Sequence, residues 1–161
     1  MSRPSVTHPR WDAEQDNGPF RWRRARVGQQ AGARELGASV FELPPSASTF
    51  PLHVHYANEE ILVVLAGRPT LRTVAGERTL EAGAVVSCTT GRAGAHRIDN
   101  RTDQPVRVLI VSTMIGPDVV EHLDSEKIYA RSYPPGGAPP PDAVEVMVKR
   151  DDNREFFEGE L

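Results

Sequence analysis

Short runs of apolar residues, either alternating with polar residues or continuous, recur along the chain at intervals of roughly ten residues. Turns containing glycine or proline separate these runs, and helical periodicity is almost absent. The pattern predicts an all-β fold, an antiparallel sandwich or barrel. The expected strands span residues 20–27, 36–43, 50–54, 61–65, 70–74, 78–80, 85–88, 96–99, 106–114 and, after a gap, 144–148.

The two ends of the chain differ from this strand-rich middle. Residues 1–19 are polar and contain prolines, which predicts a flexible N-terminal arm. Residues 116–161 are expected to form a C-terminal extension, with a short helix near 119–121 and a semi-rigid proline-rich linker at 134–141. Residues 20–115 are therefore predicted to form the body of a single domain.

The first predicted strand is unusually charged. Residues 20–27 read Phe-Arg-Trp-Arg-Arg-Ala-Arg-Val and include four arginines. Such a cluster is compatible with a patch that binds phosphate. It is also typical of an edge strand, in which charged side chains prevent pairing with another sheet. The sequence favours the edge strand and leaves the phosphate patch open.

Composition narrows the classes of function. The chain has 161 residues, of which 39% are hydrophobic and 25% charged, as in one soluble globular domain. Its net charge of −3 predicts no general attraction to nucleic acids or anionic membranes, and no run approaches the roughly 20 apolar residues of a membrane span. The N-terminal residues lack the apolar segment of a secretory signal, so a cytoplasmic location is expected. Cys88, the single cysteine, allows no internal disulfide and is expected to be a small core residue.

One stretch, residues 51–60, combines strand patterning with metal-binding side chains. His53 and His55 are two residues apart, so an extended strand points both imidazoles to the same face. Glu60 begins the next predicted strand, and His96 begins a later one. Three neutral imidazoles and a carboxylate that converge inside a sheet form a site for a divalent first-row metal ion. The alternative for the same residues is a hydrogen-bonded polar core without a metal.

The spacing of these residues resembles the two sequence motifs of the cupin superfamily. The resemblance is to small single-domain bacterial cupins and covers about residues 35–115. The first motif matches fully, whereas the second is looser, because Thr89 replaces its usual proline and the loop before the histidine has an additional glycine. The motifs are His53-x-His55-x4-Glu60-x6-Gly67 and Gly83-x7-Gly91-x4-His96-x3-Asn100.

This resemblance implies an antiparallel jelly-roll β-barrel of cupin type. It implies that His53, His55, Glu60 and His96 bind the metal, a divalent ion such as Mn, Fe, Ni or Zn, and that the neighbouring Glu59 does not. Four protein ligands leave two positions of an octahedral ion for water, substrate or dioxygen. The implied functions are a dioxygenase or isomerase that acts on a small organic molecule. The alternative is a non-catalytic sensor or storage module that binds a metal and a ligand.

The pocket around the metal can be predicted by extending strand alternation from His53 and Glu60. His8 and His122 lie outside both motifs and are expected to be solvated surface residues. The expected wall is mostly apolar. The predicted substrate contacts are Leu62, Val64, Ile98, Val108 and Ile110.

Three segments of the chain suggest self-association. Trp11 in the N-terminal arm, the charged strand 20–27 and the separate strand 144–148 all need a surface on which to dock. Such segments often pair across a two-fold axis, which predicts a homodimer.

Overall fold

The computed structural model describes residues 3–160, which fold almost entirely into β-strands. One short α-helix, α1, spans Val27–Gln30, and two 3-10 turns span Arg92–Gly94 and Arg150–Asp152. No helix among the described residues is both long and apolar enough to cross a membrane. The strands are β1 Ala13–Asn17, β2 Phe20–Ala25, β3 Leu36–Leu43, β4 Ala47–Ser48, β5 His53–His55, β6 Glu60–Ala66, β7 Thr70–Thr73, β8 Gly76–Thr79, β9 Val85–Cys88, β10 His96–Asn100, β11 Val106–Thr113, β12 Asp118–His122, β13 Lys127–Arg131 and β14 Glu145–Lys149.

All strands belong to one sheet, in the order β14-β13-β12-β5-β10-β4-β2-β3-β11-β6-β9. In addition, β1 pairs with β2, and β7 pairs with both β8 and β10. The pairs are antiparallel, apart from a short parallel contact between β2 and β4. The sheet does not close on itself, because β14 and β9 lie at its two ends. The predicted all-β antiparallel fold is confirmed.

The strands predicted in the middle of the chain occur close to their expected bounds, whereas the two ends differ. The helix expected near residues 119–121 is wrong, because Asp118–His122 is strand β12, paired with β5 and β13. The segment is rich in β-branched residues, and the exposed Val119 lies between the buried Asp118 and Val120, which is the alternation of a strand. Residues 13–17, inside the predicted flexible arm, pair with β2 along their whole length. The division into arm, body and extension stays a prediction. Strands β1 and β12, however, pair with strands of the predicted body, so the sheet crosses both predicted boundaries.

Strand β2 is not an edge strand. It pairs with β1 on one side and with β3 on the other, so the edge-strand interpretation of its arginines is wrong. Alternation separates their side chains onto two faces. Arg23 forms an ion pair with Glu42 at 2.6 Å and lies over the ring of Trp11. Arg24, the next residue, lines the internal cavity.

The apolar core lies inside the curve of the sheet, where β3, β6, β10 and β11 contribute inward-facing residues. Trp22, Phe41 and Phe50 pack edge to face, with ring centroids 5.3–5.7 Å apart. Burial of each large apolar side chain contributes about 1.5–3 kcal/mol. The core positions the site, because the strands that carry its residues also carry the candidate metal ligands. Its fully buried members include Leu43, Leu62, Val64, Leu71, Ile98, Val106 and Val108.

Candidate metal centre

The N-terminal ends of three strands bring the motif residues together. His53 begins β5, Glu60 begins β6 and His96 begins β10. His96 is the register partner of His53 across the β5–β10 pair. One potential ligand atom from each of these three residues lies within 4.8 Å of the other two. The separation suits ligands of one metal ion.

All three motif histidines use Nδ1 in a hydrogen bond and leave Nε2 available. The partners of Nδ1 are carbonyl or carboxylate oxygens, which only accept, so each Nδ1 carries the hydrogen. The bonds run from His53 to the carbonyl of Pro51 (2.9 Å), from His96 to the carbonyl of Gly94 (3.0 Å) and from His55 to the carboxylate of Asp118 (2.6 Å). A metal-binding histidine is typically fixed in this way through its other ring nitrogen.

The carboxylate of Glu60 lacks a hydrogen-bond donor. Its Oε2 is buried and has no hydrogen bond, although Nε2 of His96 lies 3.1 Å away, because that contact does not have hydrogen-bond geometry. A buried carboxylate oxygen without a partner is costly. A divalent ion bound by Oε2 and the Nε2 atoms would remove this cost, so the residues present fit a metal.

Burial and mutual contact shift the protonation of the cluster. Burial, reinforced by the nearby His96, lowers the pKa of His53 to about 3. Burial also opposes a charge on His96, but contacts with Cys88 and Glu60 outweigh it and raise the pKa of His96 to about 10. Burial likewise opposes ionisation of Glu60, yet the adjacent imidazoles lower its pKa. Binding of a metal ion by Nε2 of His96 would require that nitrogen to be unprotonated, so metal affinity should fall as the pH is lowered.

His55 lies beside the three-residue group. Its ring centroid is 5.3 Å from that of His53, and its Nδ1 donates to Asp118. The same carboxylate oxygen of Asp118 accepts a hydrogen bond from Arg131 at 3.2 Å, and the other accepts one from the backbone of Ala57. His55 is thus held in place near the site, and its role as a fourth ligand stays a prediction.

The loop before His96 explains why the second motif departs from the usual spacing. A Cβ atom on Gly94 would lie 1.7 Å from the carbonyl oxygen of Thr89, so only glycine fits there. Gly91 has a φ of +75°, which favours glycine, and its backbone N–H donates to the carbonyl of His55. The additional glycine therefore belongs to a tight loop that places His96 against the other candidate ligands.

A cavity of about 550 Å³ opens onto the cluster, within the roughly 300–1,000 Å³ of typical ligand pockets. Its lining includes the four motif residues predicted to bind metal. The predicted substrate contacts divide: Ile110 lines the cavity, whereas the other four lie in the apolar core and do not reach it. Strand alternation places these four side chains on the inner face of the sheet. They lie further along their strands, however, where the apolar core fills the interior. These four are Leu62, Val64, Ile98 and Val108.

His122 is a cavity residue that the sequence did not identify. The expected surface position is wrong, because His122 is half-buried, lines the cavity and has its ring centroid 6.5 Å from that of His53. The two histidines are register partners in the β5–β12 pair. Burial lowers the pKa of His122, with smaller contributions from Lys127 and His55, so its ring is neutral at pH 7. The strand-like alternation around Val119 was the available sequence signal, because it places His122 on the same strand face as the buried Val120.

Cys88 is a core residue and His8 a surface residue, as expected, and Glu59 lies outside the cluster. Cys88 is buried and is the register partner of Glu60 across the β6–β9 pair. Glu59 is exposed and accepts a hydrogen bond from Ser87, so it points away from the cluster. His8 is exposed.

Comparisons with known proteins agree with this architecture. Residues 39–112 match a protein-family model described as a cupin domain. No curated protein matches the chain. Among solved structures, the chain is similar to a sugar phosphate isomerase of the cupin superfamily from Silicibacter pomeroyi DSS-3, with a TM-score of 0.76 and 19% identity over 93% of this chain and 94% of that chain.

Two further solved structures show the same fold. A candidate sugar phosphate isomerase from Acidithiobacillus ferrooxidans ATCC 23270 has a TM-score of 0.75 and 21% identity over 90% of this chain and 86% of that chain. The polyketide cyclase RemF from Streptomyces resistomycificus has a TM-score of 0.57 and 22% identity over 70% of this chain and 79% of that chain. These similarities confirm the predicted jelly-roll fold.

Proposed function

Since residues 39–112 match a cupin-domain model, we propose that the chain binds one divalent first-row metal ion and isomerises a small organic molecule. The observation that carries the proposal is the hydrogen-bonding pattern that the three motif histidines have in common. In each, Nδ1 donates a hydrogen bond and Nε2 forms none, and Nε2 of His96 lies 3.1 Å from a Glu60 oxygen that has no hydrogen-bond donor. The ion would be Mn, Fe, Ni or Zn, the metals that suit imidazole and carboxylate ligands.

The proposed ligands are His53, Glu60 and His96, with His55 as a fourth through its Nε2. Asp118 would orient His55 by accepting its Nδ1 hydrogen. When bound, a divalent ion supplies Lewis acidity that polarises a carbonyl or hydroxyl oxygen of the substrate.

Acid–base groups of the chain favour proton transfer as the reaction. The neutral ring of His122 can accept a proton from a substrate carbon, and the ring of Tyr129 lines the same cavity from β13, with its hydroxyl donating to Glu145 at 2.8 Å. Isomerisation of a hydroxyaldehyde to a hydroxyketone needs one proton to leave a carbon and return to its neighbour, and a second proton to move from the hydroxyl oxygen to the former carbonyl oxygen. Two of the similar structures carry the name sugar phosphate isomerase, which supports this class of reaction. A dioxygenase would not require His122.

Hydrogen exchange tests the reaction. We expect metal-loaded protein, incubated in deuterated water with a panel of small hydroxyaldehydes and hydroxyketones, to introduce deuterium next to the carbonyl of one of them, as detected by NMR. The His122→Gln variant should lose exchange and keep its metal, because His122 is outside the proposed ligand set. Oxygen consumption without exchange would indicate the dioxygenase. Metal content without any turnover would indicate the non-catalytic binding module.

Elemental analysis tests the metal. Protein purified without added metal is expected to contain one first-row ion per chain, and Glu60→Gln should lack it. Glu59→Ala is the matched control, because the neighbouring side chain is exposed and points away from the cluster. Equal metal contents in the two variants would contradict the proposed centre.

The predicted homodimer remains a proposal, and fewer unpaired segments now support it. Trp11 packs against its own chain, and β14 joins β13, so these segments already have partners. One edge of β14 is nevertheless free among residues 3–160, and its Val146, Met147 and Val148 are exposed. Light scattering at micromolar concentration should give twice the chain mass, and a monomer would contradict the proposal. A cytoplasmic location also remains an expectation.

A further inference from the structure

The cavity carries more positive charge than the proposed metal centre requires. Arg24, Arg26, Arg34 and Arg131 line it, whereas Glu60 is the one carboxylate among the described lining residues. The chain as a whole has a net charge of −3, so this excess is local. A divalent ion bound at the centre would add to the positive charge, and the cavity is therefore suited to an anionic ligand.

Three of the arginines have a buried donor that is not used. The Nε atoms of Arg24, Arg26 and Arg131 are buried and have no hydrogen-bond acceptor. Asp12 forms ion pairs with the Nε atoms of Arg24 and Arg26 at 3.6 and 3.5 Å without a hydrogen bond, and its other oxygen accepts from the backbone of Arg26. Burial, and then the neighbouring charge of Arg26, lower the pKa of Arg24. Buried donors in native proteins are normally satisfied, so these three await an acceptor.

The structure holds these arginines in place. The guanidinium of Arg24 lies over the ring of Trp22, 5.7 Å from its centroid. Arg131 donates to Asp118 at 3.2 Å, and the same oxygen accepts from His55 at 2.6 Å. One carboxylate therefore links Arg131 to a proposed metal ligand, which places Arg131 beside the centre, and Arg24 and Arg26 line the same cavity.

We propose that Arg24, Arg26 and Arg131 form an anion subsite that binds the phosphate group of the substrate. This inference rests on the proposed function, because it assigns the substrate class of the same cavity. The guanidinium groups come from β2, from the residue that follows it and from β13, so they can contact several oxygens of one group. A phosphate monoester offers three terminal oxygens, a carboxylate two, and arginine suits phosphate through its planar set of donors. The substrate would be a small phosphorylated molecule whose reacting end faces the metal.

Strand β2 provides a matched control. Arg23 and Arg24 are adjacent, but Arg23 points to the outer face, where it pairs with Glu42, while Arg24 lines the cavity. Substituting either residue by glutamine removes one positive charge and leaves the net charge of the two variants equal. Only the Arg24 variant should affect the cavity.

The test is calorimetric titration of the full chain with inorganic phosphate at constant ionic strength. Protein treated with EDTA is used, so that phosphate cannot bind through a metal ion. We expect one saturable site per chain, and at least about a tenfold loss of affinity in Arg24→Gln and in Arg131→Gln, since each removes a charged hydrogen-bond donor. Arg23→Gln should bind as the wild type does. If Arg24→Gln fails to fold by circular dichroism, Arg26→Gln replaces it with the same expected loss.

A metal-site variant separates this inference from the proposed function. Glu60→Gln should lose its metal but keep phosphate binding, so a failed metal centre and a failed anion subsite give different results. The inference is overturned if wild-type protein shows no saturable phosphate binding, or if Arg23→Gln loses as much affinity as Arg24→Gln. Acetate that binds as tightly as phosphate would overturn the assignment to a phosphate group.

Discussion

The inside of the sheet contains two regions that share strands and differ in how completely their groups are satisfied. Strand β6 contributes Glu60 to the metal centre and Leu62 to the core, and β10 contributes His96 and Ile98 in the same way. The core side chains are fully buried among apolar neighbours. In the cavity, by contrast, an oxygen of Glu60 and three arginine nitrogens have no hydrogen-bond partner. The polar groups of the cavity would gain partners if the proposed cation and anion bound there, whereas the apolar core needs none.

Because of this difference, two side chains that are two residues apart on one strand should affect different properties: one the stability of the fold and the other the binding of ligand. Unsatisfied buried groups lower the stability of a ligand-free protein, and binding sites commonly accept that cost. A substitution in the core should therefore change unfolding with or without ligand. A substitution in the cavity should chiefly change what the ligand adds.

The largest expected effect is on the core side of β6. Leu62 is 1% exposed, so Leu62→Ala should lower the free energy of unfolding by about 2–5 kcal/mol. Glu60→Gln, two residues earlier, keeps the size of its side chain and should cost well below that range in metal-free protein. Urea unfolding of both variants in EDTA measures the difference. Equal losses would show that the two regions are not separate in their energetics.

The second prediction concerns the stability that a metal adds. A ligand at 100 times its dissociation constant stabilises the folded state by about 2.7 kcal/mol, so metal should raise the melting temperature of the wild type. His53→Ala should lose this increment, because the group of three candidate ligands loses a member. Leu62→Ala should keep it despite a lower starting melting temperature. A full metal-dependent rise in His53→Ala would remove His53 from the ligand set.

The third prediction decides the role of His55. Loss of an outer partner of a metal ligand typically weakens binding about 10–100-fold. Asp118→Asn should therefore reduce metal affinity in that range, since Asp118 accepts the Nδ1 hydrogen of His55. Titration with a competing chelator measures the affinity. Wild-type affinity in both Asp118→Asn and His55→Ala would limit the centre to His53, Glu60 and His96.

The sequence predicted those features that depend on local signals. Alternation and turns predict the strands between residues 36 and 113 apart from β4 at Ala47–Ser48, and the motif spacing selects His53, Glu60 and His96, which the structure brings together. It did not place His122, whose position depends on long-range pairing of β12 with β5. Alternation also gives the face of a strand but not the depth along the barrel. For that reason Ile110 lines the cavity, whereas Leu62, predicted from the same alternation, lies in the core.

The same limit applies to the arginines of β2. Their number was visible in the sequence, but the face on which each lies follows from the register of β2 with β3. Arg23 pairs with Glu42 on the outer face, whereas Arg24 reaches the cavity. A charged strand was therefore compatible with two interpretations until its pairing was known. The structure excludes the edge strand, and the phosphate titration tests the other.

The smallest predicted effect concerns Glu42, a carboxylate on the outer face of the sheet that already has ion-pair partners. Burial alone would raise the pKa of Glu42, but ion pairs with Arg107 at 2.5 Å and Arg23 at 2.6 Å outweigh it and lower the pKa below the ordinary value of 4.5. The contribution of Glu42 to stability is therefore present at neutral pH and is lost as the pH falls below 4.5 through the folded-state pKa.

Glu42→Gln should accordingly be less stable than the wild type by about 0.5–1 kcal/mol at pH 7, as is typical of partly exposed ion pairs, and the two should converge in acid. Urea unfolding at a series of pH values measures this. A pH-independent difference would mean that Glu42 contributes through packing and not through charge. Added phosphate should leave the difference unchanged, because neither Arg23 nor Arg107 lines the cavity.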